Sequence, residues 1–480
     1  MLFNSLHFFI FFLLVTISYF LLPHRFRWAL LLISSCYFYM VFKPIYILIL
    51  GFTIVIDYFA GIYLEESQGK TRKWYLIASL IANVGVLAIF KYYNFLNLNF
   101  SLLLSGFDMK NPLPFLEILL PIGLSFHTFQ AMSYTIEVYR GNQKAERNFG
   151  IYALYVMFYP QLVAGPIERP QNVIHQFYEK HEFDYQRFVD GIKMMIWGLM
   201  KKVVIADRLA VYVNEAYNNP NDQSTASLIL ATYFFAIQIY CDFSGYSDMA
   251  LGSAWVMGYD LMENFRTPYI SKNIKEFWAR WHISLSSWFR DYLYIPLGGN
   301  RVAKWRWNFN LFFVFMVSGI WHGANWTYIV WGTLHGAYLV GENLLDDVQK
   351  RWNLNAPTWY RQYLQPYWKW FITFHLAVFA WIFFRANSLT DAGTIIDKIL
   401  IHPQLDFASI KQAINGDNTT PLSIALALLF LLIDPSFDVR MKSLKKQGYI
   451  PYSRWIFAFI VAVIAIFGYF GFIQFIYFQF

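Results

Sequence analysis

The sequence predicts an all-α polytopic membrane protein, and three observations carry that prediction. Hydrophobic residues make up 57% of the 480 positions and charged residues only 14%, against about 25% charged in soluble domains. Mean hydropathy is +0.36. Aromatics reach 21%, and Trp and Tyr favour the membrane–water interface. A chain this poor in charge cannot cover a soluble surface. Intrinsic disorder, collagen and coiled coil are excluded with it. The net charge of +8 implies basic cytoplasmic loops and no nucleic-acid partner. Cys36 and Cys241 both sit in apolar runs, so neither a disulfide framework nor a Cys-based zinc site is indicated.

The first apolar run, residues 1–22, has no Lys or Arg before it and no small-residue cleavage pattern. It is expected to be a retained membrane helix. Further apolar spans follow at about 28–42, 44–63, 74–90, 113–138, 150–166, 226–258, 308–321, 325–342, 366–384, 420–434 and 455–475. Several are shorter than the roughly 20 residues a crossing needs. About ten or eleven crossings are expected, with re-entrant and interfacial helices around an internal chamber, because broken backbone at membrane depth must face protein or water. No internal repeat is visible, so residues 1–480 read as one membrane domain with its catalytic middle at about 120–342.

Loop charge gives the orientation. Arg25 and Arg27, then Lys70, Arg72 and Lys73, then Arg140, Lys144 and Arg147, and finally Lys442, Lys445, Lys446 and Arg454 all suit the cytoplasm. That places the N-terminus outside. The stretches 168–190 and 385–419, the latter with Asn415-Gly416-Asp417-Asn418, read as surface helices and loops.

The middle third holds polar residues at membrane depth, where a charge costs several kcal/mol. Over Glu276–Tyr292, at 100° per residue, Glu276, Arg280, Ser284, Ser287 and Asp291 share one stripe, while His282 lies in the opposite, aromatic face. This predicts one amphipathic helix. Its histidine either makes a structural hydrogen bond or points into a chamber.

His322 ends the run from Phe312, bracketed by Gly319 and Gly323, with Trp321 and Asn325 beside it. The glycines allow close approach or a helix break, and an imidazole suits proton transfer near neutrality. On one straight helix His335 falls about 220° round from His322 and reads as structural. Asp242, Ser244, Tyr246 and Asp248 lie inside the 226–258 span. A carboxylate there needs a partner: Arg280, Arg290 or another member of the cluster. Such a set either fixes the bundle as an ion pair or touches substrate. Pro121–Gln130, with His127, and Pro160–Glu168 read as kinked helices lining the chamber. There is no GxSxG elbow, P-loop, Rossmann glycine pattern or HExxH motif.

Taken together, Arg280-Trp281-His282-Ile283-Ser284-Leu285-Ser286, Phe289-Arg290-Asp291, Pro296–Arg301 and Trp321-His322-Gly323 resemble the membrane-bound O-acyltransferase family. Within it they are most similar to the bacterial alginate O-acetyltransferase branch. The resemblance implies His322 as the essential histidine and His282 as the second, in a ring of tilted helices around a funnel. It implies no bound cofactor or metal. Acetyl-CoA would be the cytoplasmic thioester donor, and the acceptor an extracytoplasmic polysaccharide reached directly or through a secreted partner acetyltransferase. The location implied is the bacterial cytoplasmic (inner) membrane. With the acyl chemistry so placed, Asp242, Ser244, Tyr246, Arg280, Trp281, Ser286, Arg290, Trp321, Asn325 and His127 become the candidate substrate-binding residues. Another acyl cargo, as in D-alanyl transfer to teichoic acid or peptidoglycan O-acetylation, and a transporter without chemistry are the competing readings.

Overall fold

The computed structural model describes residues 1–117, 120–352, 357–415, 420–447, 453–471, 473 and 475–476. Every regular element among them is helical. The protein is thus an all-α, multi-pass membrane protein. Among the described residues, four helices are long and apolar enough to cross a bilayer: Pro44–Glu66, Gly69–Ser105, Thr225–Met257 and Tyr360–Arg385. Shorter apolar helices are Leu6–Leu21, Thr420–Asp434 and Trp455–Phe467. Residues 416–418 of the expected surface loop lie outside the described residues, as do the side chains of Lys442, Lys445, Lys446 and Arg454.

The backbone forms two compact units, Met1–Gly198 with Tyr246–Met262, and Leu199–Gly245 with Glu263–Phe480. The helix Thr225–Met257 contributes to both. In the first unit, helices Ile47–Glu66, Gly69–Leu87 and Leu124–Arg140 pack together around buried polar side chains. Asp57 accepts from Ser79 Oγ at 2.6 Å and from Asn83 Nδ2 at 2.8 Å, and Ser79 also donates to Thr135 Oγ1 at 3.0 Å. Buried polar atoms are stable only when paired, and here three helices supply the partners.

In the second unit the expected amphipathic helix over 276–292 is not continuous. Helix Ile274–Arg280 stops, the chain turns at Trp281 and His282, and Ile283–Phe289 starts again before a wide π turn at Arg290–Tyr294. The wheel over that segment therefore does not hold. No Gly or Pro marks the break in the sequence; tertiary hydrogen bonds make it. The next motif, Pro296–Arg301, is a turn with Gly298 at φ +103° and Gly299 at φ +55°, backbone that L side chains rarely adopt. Asn310 Nδ2 donates to the carbonyls of Leu297 and Gly299, each at 3.2 Å.

Helices Lys304–His322 and Trp326–Arg351 pack closely against each other. A Cβ on Gly319 would collide with the Tyr328 carbonyl oxygen, and one on Gly332 with that of Phe315. Small residues at these crossings let backbones approach. The Gly319 and Gly323 bracket around His322 thus does both things expected of it: Gly319 seats one helix on the other, and the first helix ends at His322 with Gly323 extended.

Candidate active site

His282 is one of three described non-glycine residues with positive φ, at φ 43°, ψ 55°. A left-handed L residue costs roughly 1–2 kcal/mol, so the surroundings must enforce it. Asn264 does much of this. Its carbonyl accepts from Ile283 N at 2.9 Å. Its side-chain Oδ1 takes Ser284 Oγ at 2.6 Å and Ser284 N at 3.3 Å. The same oxygen lies 3.3 Å from His282 Nδ1. A backbone N–H donor identifies that Asn264 atom as an acceptor, so His282 Nδ1 carries the proton and Nε2 carries the lone pair. His282 is fully buried. It lies outside the candidate spans, and burial pushes its imidazole well below the usual histidine range, keeping the ring neutral.

The indole of Trp321 links this histidine to the second motif. Its centroid is 6.5 Å from the His282 ring and 4.9 Å from the His322 ring. Residues 40 positions apart in sequence therefore share one aromatic wall. His322, 3% exposed, also meets Trp331 edge-on at 4.8 Å and Phe384 at 5.4 Å. His335 joins the same wall. The separation expected for it assumed one straight helix, but the chain breaks after His322. Its ring lies 5.1 Å from Trp331, and its Nδ1 accepts from Trp278 Nε1 at 3.3 Å.

A cavity of about 480 Å³ runs alongside. Ile283, next to His282, and Ser318, one turn before His322, line it, with Trp278, Phe315 and Ser286. Its charged lining residues are Lys275 and Arg290, both exposed. An apolar trough with cations at its edge suits a ligand with an anionic head and an uncharged arm.

The other candidates are placed differently. Arg280 pairs with Glu276 at 2.9 Å and donates to the Arg266 carbonyl at 3.2 Å. Arg290 pairs with Asp291 at 2.8 Å. Neither partners Asp242; Lys202 does, at 2.7 Å. Trp281 is buried among Phe265, Phe277 and Trp381. Ser286 donates to the Trp281 carbonyl at 3.2 Å. Asn325 caps the helix after the break, accepting from Thr327 N at 3.1 Å. Ser244 is buried in the second unit. Tyr246 belongs to the first unit, packed edge-on against Phe3 at 4.7 Å. His127 also belongs there, with Nε2 2.6 Å from Thr53 Oγ1. Glu168, from the second kinked stretch, accepts from Met262 N, and its carbonyl from Tyr155 OH at 2.9 Å. Sequence reasoning missed Asn264 and Lys202. A lone Asn in a loop gives no signal, but a lysine pair at the head of an apolar run, Lys201-Lys202, did ask for buried carboxylates.

Comparison with known proteins fits this arrangement. Residues 143–384 match the model of MBOAT, the membrane-bound O-acyltransferase family. The probable alginate O-acetylase AlgI of Pseudomonas aeruginosa is 38% identical over 92% of this chain and 82% of its own length. A peptidoglycan O-acetyltransferase of Helicobacter pylori is 35% identical over 76% and 72%. A teichoic acid D-alanyltransferase of Bacillus subtilis is 28% identical over 55% and 69%.

Proposed function

The chain belongs to the membrane-bound O-acyltransferase family, and from that premise we propose that it passes an acetyl group from cytoplasmic acetyl-CoA to a hydroxyl of an extracytoplasmic polysaccharide. That it is a membrane O-acyltransferase follows from its relatives. Donor, acceptor and residue roles are the proposal. The protein sits in the bacterial inner membrane with its N-terminus outside, and a secreted acetyltransferase can complete delivery to the polymer.

The observation that carries the reading is two buried histidines, from motifs 40 residues apart, flanking the single indole of Trp321. Acyl transfer needs a base for the hydroxyl proton and a place for the acyl carbon beside it. His322 is the base. The acceptor oxygen attacks the thioester carbonyl carbon, a C–O bond forms and the C–S bond breaks. The hydroxyl proton passes to His322 and then to the departing thiolate. His282 has its Nδ1–H turned to Asn264, so its Nε2 is suited to accept a hydrogen bond from the acceptor hydroxyl, not to donate one to the carbonyl. Lys275 and Arg290 at the cavity edge complement the phosphates of a CoA-type donor.

The test is release of free CoA from acetyl-CoA by purified protein in lipid, wild type beside His322→Ala. A general base is worth about 10²–10⁴-fold, and the variant is expected to lose that factor while still inserting. Near-wild-type turnover by a well-folded His322→Ala protein overturns the assignment. Wild-type protein that stays silent with acetyl-CoA, even with the secreted partner and its polymer, but turns over a D-alanyl thioester moves the cargo to the teichoic-acid type.

A further inference from the structure

The histidine site leaves one group of buried charges unused. Lys202 Nζ lies 2.7 Å from Asp242 Oδ1 and 2.7 Å from Asp207 Oδ1, with side chains only 5%, 3% and 2% exposed. Beside them Lys201 pairs with Asp434 at 3.6 Å, and Tyr240 donates to Asp434 at 2.7 Å. Taking three charges out of water is costly, and such a set persists where its geometry specifies something. Here the second oxygen of Asp242 is the informative atom. It accepts from the backbone N–H of Ile476 at 2.8 Å, 234 residues along the chain.

Among the described residues, two further bonds tie the same end of the chain. Tyr469 N donates to the Val203 carbonyl at 2.8 Å, within the π turn Lys201–Ala206. Arg208 Nη2 donates to the Phe467 carbonyl at 2.7 Å. The neighbours of the tied residues then meet. Phe475, next to Ile476, has its ring 6.1 Å from that of Phe243, next to Asp242. Phe243 in turn meets the His282 ring edge-on at 4.6 Å and 88°. A line of direct contacts therefore runs from Lys202 through Asp242 and the Phe475–Ile476 backbone to Phe243 and His282.

We propose that Lys202 and Asp242 form a clamp that holds the Phe475–Ile476 backbone behind Phe243 and so fixes the orientation of His282. The inference rests on the reading of His282 as a reacting-site histidine. Asp242 is then a positioning residue, not a substrate ligand. The need for such a device is physical. The Asn264 contact to His282 is long, at 3.3 Å, and the χ2 torsion of histidine is soft. Phe243 packs edge-on against the ring at 4.6 Å and restricts that rotation. A misplacement of about 1 Å at a reacting group costs about 10²-fold in rate.

The test uses the full chain in lipid. Ile476→Pro deletes the donated N–H and leaves Lys202 and Asp242 in place, whereas Ile476→Ala keeps the N–H. Hydrogen exchange at the tied amides, Tyr469 in every variant and Ile476 wherever its N–H is kept, reads the clamp directly. It should be slow in wild type and Ile476→Ala, and at least about tenfold faster in Ile476→Pro and Asp242→Ala. Turnover of acetyl-CoA should fall about tenfold or more in kcat for Ile476→Pro, with KM within twofold. Adding Asp242→Ala to Ile476→Pro should lower kcat little further, because both release the Phe475–Ile476 backbone, while the lost Lys202 pair shows as reduced stability. Fast exchange in the wild type overturns the clamp. Accelerated exchange with unchanged kcat overturns the positioning role. If His282→Ala itself leaves turnover intact, the histidine reading fails, and the exchange result shows separately whether the clamp exists.

Discussion

His127 and His282 are both fully buried histidines in one chain, and their surroundings differ in kind. His127 lies on the unbroken helix Leu124–Arg140, with Nε2 2.6 Å from Thr53 Oγ1. Nearby, Asp57 is saturated by Ser79 and Asn83. The side-chain contacts of His127 to Thr53 and of Ser79 and Asn83 to Asp57 each join one helix to another. His282 sits on a left-handed residue at a helix break, held by a long contact to Asn264 and walled by Phe243 and Trp321. A cavity begins one residue away. The first arrangement spends its polarity on packing. The second keeps backbone strain, a feature that clusters at reacting sites, and its neighbour Ile283 lines the cavity. Burial alone does not separate the two; backbone conformation and the neighbouring space do.

The largest expected effect breaks the comparison if it fails. His322→Ala should cut acyl transfer by at least about 10², while His127→Gln should leave it within about threefold. The His127→Gln cost should appear as stability instead, about 1–3 kcal/mol for a disturbed buried hydrogen bond, read as a lower thermal midpoint in detergent. A large rate loss in His127→Gln with an unchanged midpoint would move His127 into the reacting site.

Asn264→Ala comes next. It removes the side-chain oxygen that fixes the His282 tautomer and anchors Ser284, while the backbone carbonyl still holds Ile283. Loss of one orienting hydrogen bond is worth about 1 kcal/mol, so kcat should fall roughly five- to tenfold with KM for the donor little changed. A pure KM effect would make Asn264 part of donor binding. In the first unit the matching change is Asn83→Ala, which removes a donor to Asp57. It should lower the midpoint and spare kcat.

How much of this was legible in the sequence follows the range of the interactions. The all-α class and the helix end at the glycine-bracketed His322 are local patterns, legible in the residues, whereas about ten or eleven crossings are expected from the apolar spans and four helices among the described residues are long and apolar enough. The break at His282 was not legible. Nothing between Glu276 and Tyr292 discourages a helix, and the wheel assumed one; the carbonyl and side chain of Asn264, 18 residues upstream, impose the turn. The partner of Asp242 was sought among Arg280 and Arg290, because their motifs are conspicuous. Arg280 and Arg290 are satisfied within their own segment by Glu276 and Asp291, which left the long-range role to Lys202. His335 was set apart by a helical wheel across a break that Gly323 and the Asn325 cap produce.

The smallest effect sharpens the comparison most, because its two readouts move in opposite directions. His282 is held at φ 43°, which glycine adopts without the Cβ penalty. His282→Gly should therefore relieve about 1 kcal/mol of strain. Both variants lose the ring packing against Phe243; the extra unfolded-chain entropy of glycine offsets part of the strain relief, so the thermal midpoint should match or slightly exceed that of His282→Ala. Turnover should be lost equally in both. At His127, in an ordinary helix, the order reverses: His127→Gly should be less stable than His127→Ala by about 1 kcal/mol. A His282→Gly protein clearly less stable than His282→Ala would mean that the left-handed turn is not imposed by Asn264, and the contrast between a strained site and an ordinary helical one would fail at its root.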